Sequence, residues 1–206
     1  MTQRPATQTQ AASPQWLGIG ALTACTAVLS TMLACATPFA ALAAIAVLFL
    51  PSRRVLPAAA AVWLTNQAVG YLLLDYPHSA SSHAWGLMIG LGLVLATLAA
   101  QSAWHRLTSQ PWPVSWGATY LAALSAFQTM MAAGYALLGG AMTLDGVLTV
   151  FRIDVLAFVG FLLALSLLGK AADGLHLHWP MRRPVSGPCD GTPTRPIKDM
   201  AMETRY

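Results

Sequence analysis

Charge is what this chain has least of. Only 9% of its 206 residues are Asp, Glu, Lys or Arg, against about 25% in a soluble domain. None occurs between Arg4 and Arg53, or between Arg106 and Asp145. Such gaps far exceed the roughly 20 apolar residues that cross a bilayer. With 56% hydrophobic residues, the composition argues against a soluble domain and for a membrane protein. Cysteine is also scarce. Cys25, Cys35 and Cys189 have no metal-ligand spacing, and the first two share one apolar run, where thiols behave as small hydrophobes. A Walker loop, a GxGxxG and a CxxC are all missing, as is a nucleophile beside a base and an orienting acid. ATPase, kinase and redox chemistry are disfavoured; the chain reads as no enzyme, with no intrinsic cofactor. The formal charge of +4 is carried by single or paired flanks of apolar runs, without an aromatic-interleaved patch, so nucleic acid is not the expected partner.

What is present is a series of apolar runs. Residues 16–36, 39–50, 55–74, 84–104, 114–140 and 147–169 read as six spanning helices, an all-α membrane bundle. Residues 1–15 read as a flexible N-terminal tail rather than a signal peptide, because the run that follows is too long for one. Residues 16–170 form the membrane domain. The polar, Gly- and Pro-rich remainder, 171–206, reads as a disordered tail. The second run is short and set off by Thr37–Pro38 and Pro51. Twelve helical residues reach only about 18 Å, so this segment must be tilted, sheltered by its neighbours or extended through Thr37 and Pro38.

Basic residues set the orientation. With both termini in the cytoplasm, Arg4, Arg53, Arg54, Arg106, Lys170 and the basic residues of the tail lie inside, and Arg152 alone lies outside. The expected location is a bacterial inner membrane. The outer face then carries the 75–83 loop, Asp145, and the start of the sixth helix with Arg152 and Asp154.

Polar chemistry cuts into the apolar pattern in one stretch, Trp63–Gly86. Asn66 and Gln67 interrupt the third run, and unpaired polar groups in hydrocarbon are costly. Gln67, Tyr71 and Asp75 recur every four residues and share a helical face. They either bond neighbouring helices or line a binding site. Tyr76, His78, His83 and Trp85 follow, with His78 and His83 on one loop. Two imidazoles near Asp75 suit a divalent ion, and the aromatics serve either as interface anchors or as a stacking surface. Arg152 and Asp154 stand opposite, as an ion pair between helices or as part of a polar lid. Trp104, Trp112 and Trp116 read as interface anchors at the inner boundary.

Small residues recur at four-residue spacing: Ala36, Ala40 and Ala44; Gly86 and Gly90; Gly92, Ala96 and Ala100. They either pack the bundle or, for the Ala36–Ala40–Ala44 stripe, offer a smooth groove to another membrane subunit. An internal repeat is lacking, which argues against an inverted-repeat transporter.

The segments Thr37-Pro38-Phe39-Ala40-Ala41-Leu42, Trp63-Leu64-Thr65-Asn66-Gln67-Ala68-Val69-Gly70, Tyr76-Pro77 and Ala84-Trp85-Gly86 resemble those of the S-components of energy-coupling factor transporters, and among them the solitary cobalamin-uptake branch. The resemblance covers about residues 16–170. It implies capture of a vitamin or trace metal in an outward pocket, and a small-residue surface that meets a transmembrane coupling subunit served by a separate ATPase pair. Where the solitary branch has an outer-loop Cys, this chain offers His78 or His83 as the cobalt ligand.

The leading expectation is therefore an uptake protein that takes cobalamin, another corrinoid or another vitamin at a site walled by Asn66, Gln67, Tyr71, Asp75, Tyr76, His78, His83, Trp85, Arg152 and Asp154. A cobalt or nickel permease using Asp75, His78 and His83 is the second. A scaffold or assembly factor, with polar residues that only lock the bundle, is the third.

Overall fold

A computed structural model of the chain describes residues 14–33, 37–140 and 143–174. Six helices occur in order: α1 (Pro14–Leu33), α2 (Phe39–Phe49), α3 (Ser52–Leu72), α4 (Ala80–Arg106), α5 (Trp112–Leu138) and α6 (Leu144–Gly174). The described residues contain no strand. The expected all-α class and six segments are found, with boundaries shifted by a few residues. Of the six, α4, α5 and α6 are long and apolar enough to cross a membrane. α1 and α2 are shorter apolar helices. The outward faces of α4, α5 and α6 are set with Leu91, Leu95, Leu98, Leu121, Leu156 and Leu163, all exposed, as suits a surface solvated by lipid tails.

The organising element is α2. Its 11 residues span about 16 Å, roughly half a hydrocarbon core. Every residue from Phe39 to Leu48 is buried. Among the three ways to accommodate this short run, shelter is the one found: α1, α3, α4, α5 and α6 all touch it. Ala40, Ala44 and Ala46 keep the helix thin, so the surrounding helices close on it, with Leu93, Ala96, Ala100, Ala123 and Phe127 completing the core. Around it, α1 packs on α3, α3 on α4, and α4 along the length of α5. α6 reaches the bundle chiefly through α2.

Burial corrects one expectation. Ala40 and Ala44 have no exposed surface, so the stripe packs the centre of the bundle and cannot receive a partner subunit. Ala36 lies outside the described residues. Gly86 and Gly90 also serve packing: a side chain at Gly86 would strike Gln67, and one at Gly90 would strike the indole of Trp63. Gly92 is approached a little less closely, by Phe127 and Met131 of α5. Trp104 is buried in the core rather than anchored at a boundary, while Trp112 is exposed.

Two boundary differences bear on the site. α4 starts at Ala80, where Ser79 caps it by accepting a 3.2 Å bond from the Ser82 N–H. Ser81, Ser82 and His83 are thus its first turn and not loop. α6 runs to Gly174, a few residues past the expected end of the helical domain. The tails expected at 1–15 and 171–206 lie almost wholly outside the described residues.

Candidate functional site

Three groups of polar residues emerge from the ten that the sequence singles out. The first is a ring cluster at the α3–α4 connection. α3 ends at Leu72, and the Leu73 and Leu74 N–H groups both bond the Val69 carbonyl. Asp75 then takes a left-handed backbone conformation, φ 51°. This reverses the chain, and the Tyr76 N–H reaches back to the Gly70 carbonyl at 3.1 Å. Asp tolerates this region better than most residues because its short side chain is undemanding there. The reversal lays Tyr76 across Gly70, where a Cβ would fall 2.7 Å from its ring. Asp75 itself is exposed. The helical face expected to carry Gln67, Tyr71 and Asp75 therefore ends before Asp75, because the helix stops first.

Tyr71 is the hub. Its ring lies nearly parallel to His78 at 5.2 Å and to His83 at 5.1 Å, and edge-on to Tyr76 at 6.3 Å. The two imidazoles are 6.3 Å apart, so they flank Tyr71 on neighbouring sides instead of sandwiching it. The Tyr71 hydroxyl lies 3.2 Å from that of Ser82. His83 Nδ1 sits 2.7 Å from the Ser79 carbonyl oxygen. A carbonyl can only accept, so Nδ1 carries the proton and Nε2 of the neutral ring is left with its lone pair. A histidine held this way is oriented as metal-ligating histidines are. Both imidazoles are exposed. Among the described residues, no group of three or more His, Cys, Asp or Glu is placed to hold a metal ion.

The second group joins α3 to its neighbours. Trp63 Nε1 donates to the Gly86 carbonyl at 2.8 Å. Gln67 fills the space above Gly86. Trp85 meets Tyr135 of α5 edge-on at 4.9 Å and covers Gly134. These residues fasten α3, α4 and α5 directly beneath the ring cluster, so Gln67 and Trp85 support the site more than they line it.

The third group lies deeper, at the start of α2. Asn66 Oδ1 accepts from Ser30 Oγ of α1 at 3.0 Å and from Thr37 Oγ1 at 3.3 Å, and the two hydroxyls are 3.3 Å from each other. All three residues are buried. This knot ties α1 and α3 to the break that precedes α2. A helix start buried in an apolar bundle carries N–H groups that must find acceptors. Pro38 has none to offer. The Phe39 N–H bonds the Thr37 carbonyl at 2.9 Å and the Leu42 N–H bonds the Pro38 carbonyl at 3.1 Å. Ala40 and Ala41 remain; the Ala41 N–H donates to Asp154 Oδ1 of α6 at 3.1 Å, and the Ala40 N–H lies close to the same carboxyl. Asp154 thus caps α2 from another helix.

Asp154 has no exposed surface, while Arg152 is exposed. Residues two apart on a helix do not share a face, so the two side chains part and form neither a joint lid nor a joint wall opposite the ring cluster. Asp154 Oδ2 finds no hydrogen-bond partner among the described residues, and neither does the buried Tyr120 hydroxyl of α5. Tyr120 stacks at 4.3 Å on Phe158, one turn along α6 from Asp154, and is near enough to interact with it electrostatically. Sequence reading missed Ser30, Thr37 and Tyr120. The first two could have been found as hydroxyls flanking a helix break; a lone Tyr in an apolar run gives no such signal.

An open groove of about 460 Å³ lies between α4 and α5, lined by Leu95, Leu98, Ala99, Thr129 and Met130 among others. It includes no residue of the three polar groups. The chain matches no protein-family profile, no curated protein and no solved structure.

Proposed function

We propose that this protein is a six-span membrane protein of the bacterial inner membrane that captures a scarce small nutrient at its outer face, in the manner of an S-component. The half-length, fully enclosed α2 carries this reading. Transporters place discontinuous helices inside their bundles and put binding groups at the exposed half-helix ends. A membrane scaffold has no need to bury a broken helix and then satisfy its N–H groups with an ionisable side chain brought from elsewhere, since such residues are costly in a bilayer and usually functional.

The ring cluster is the capture surface. With both termini inside, the α3–α4 connection faces outward, together with Asp145 and Arg152. Tyr71, Tyr76, His78 and His83 present π faces and imidazole nitrogens on a short, internally bonded turn. Such a surface suits a flat, metal-bearing ring, and a corrinoid is the cargo whose chemistry fits best. His83, with Nδ1 committed to Ser79, offers Nε2 to cobalt. A coupling subunit and its ATPase pair would supply the energy.

Corrinoid retention tests this. Purified protein mixed with an aquo-corrinoid and passed through a desalting column is expected to carry visible absorbance, shifted as imidazole replaces water on cobalt. His83→Ala is expected to abolish the shift. A colourless wild-type protein, in cells whose corrinoid uptake does not depend on Tyr71 or His83, would refute the reading. Bound cobalt or nickel with no corrin spectrum would point to a metal permease instead.

A further inference from the structure

We infer that Asp154 is a proton-exchange site inside the bundle, one carboxyl oxygen clasping the start of α2 and the other taking up and releasing a proton. This rests on the membrane reading above but not on the identity of the cargo.

The two oxygens of this carboxyl have different surroundings. Oδ1 faces the positive end of a helix and accepts the Ala41 N–H at 3.1 Å. Oδ2 has no hydrogen-bond partner among the described residues, and the residue has no exposed surface, so nothing there occupies the place a proton would take. Neither form is fully satisfied by its surroundings, and a group in that position can exchange a proton at modest cost. Among the described residues, no ion pair fixes the charge. α2 carries no titratable side chain. From α5, Tyr120 lies near enough to interact with the carboxyl electrostatically, and its hydroxyl has no hydrogen-bond partner among the described residues. On α6 itself, Arg152 and Asp145 are exposed. A metal cation is a poor occupant, because hard divalent ions want six or more oxygens and this corner offers one free carboxylate oxygen and a phenol.

The site also lies where a proton would matter. α6 meets the rest of the molecule chiefly through α2, and Asp154 is its polar attachment there. As the anion, the carboxylate grips the N-terminus of α2; as the acid, it grips less. Protonation therefore loosens the polar attachment of α6 to α2.

Infrared difference spectroscopy on the purified full chain in detergent, titrated from about pH 4 to 9 to bracket a displaced carboxyl, reads this directly. The account expects a buried-carboxyl C=O band that grows on acidification, vanishes in Asp154→Asn, moves in Asp154→Glu and persists in Asp75→Asn and Asp145→Asn. A wild-type spectrum without such a band, or a band unchanged by Asp154→Asn, would overturn it. Should Asp154→Asn fail to fold, Asp154→Glu decides: an unmoved band would overturn the assignment. No solute is added, so a failure to bind corrinoid leaves this result standing, and a missing band leaves the capture reading standing.

Discussion

Asp75 shows how one side chain can be misplaced by a correct pattern. The i, i+4, i+8 spacing from Gln67 through Tyr71 is real, but it holds only while the helix lasts, and α3 ends at Leu72. At φ 51°, Asp75 turns the chain. An ordinary L residue loses roughly 1–2 kcal/mol in that region. Asp75→Val is therefore expected to lower unfolding free energy in detergent by about that amount, and Asp75→Gly to be neutral or better. If Asp75→Gly abolished nutrient uptake while the fold stayed intact, the carboxylate would be a ligand group after all. Asn66 was legible as a costly polar residue in an apolar run, but its partners were not. Ser30 and Thr37 lie 36 and 29 residues away, and nothing local signals such pairing. Asn66→Leu leaves the two hydroxyls to each other, and is expected to cost about 1–3 kcal/mol, measured by the same unfolding assay.

At the scale of elements, the sequence was most readable where the physics is local. Proline at residues 38 and 51 delimits α2, and runs of 20 or more apolar residues mark the longer helices. The shelter of α2 was one of three open choices, because burial depends on five other helices. The pairing of Asp154 with Ala41, 113 residues apart, was out of reach. One clue was available: Arg152 and Asp154 are two apart, so on a helix they cannot present one face. Asp154→Ala leaves the Ala41 N–H without its acceptor in an apolar interior, at about 1–3 kcal/mol. Asp154→Asn keeps one acceptor oxygen and should lose less. The ordering, wild type above Asn above Ala in melting temperature, checks the trans cap. The α3–α4 contact is testable at Gly90. Any side chain there meets the Trp63 indole, so Gly90→Leu should cost about 1–3 kcal/mol through overpacking, and Trp63→Ala in the same chain should recover part of it. Equal loss with and without Trp63 would contradict that contact.

For the whole molecule, the balance of charge and hydropathy was informative from the outset. It indicates a lipid-embedded helical protein, and α4, α5 and α6 have the length and the apolar exposed faces for it. The proposed topology adds direction. In that proposal basic flanks put the α2–α3 and α4–α5 connections inside, the ring cluster at the α3–α4 connection faces out, and α2 rises as a half-helix from the inner connection into the bundle. Cargo capture from outside and a proton site at the α2 start both depend on that arrangement. Cysteine labelling in intact cells tests it most directly. In a chain with Cys25, Cys35 and Cys189 changed to Ser, a membrane-impermeant maleimide should label His78→Cys at once and Ser109→Cys only after the membrane is opened. Labelling of Ser109→Cys in intact cells, with His78→Cys protected until permeabilisation, would contradict the account.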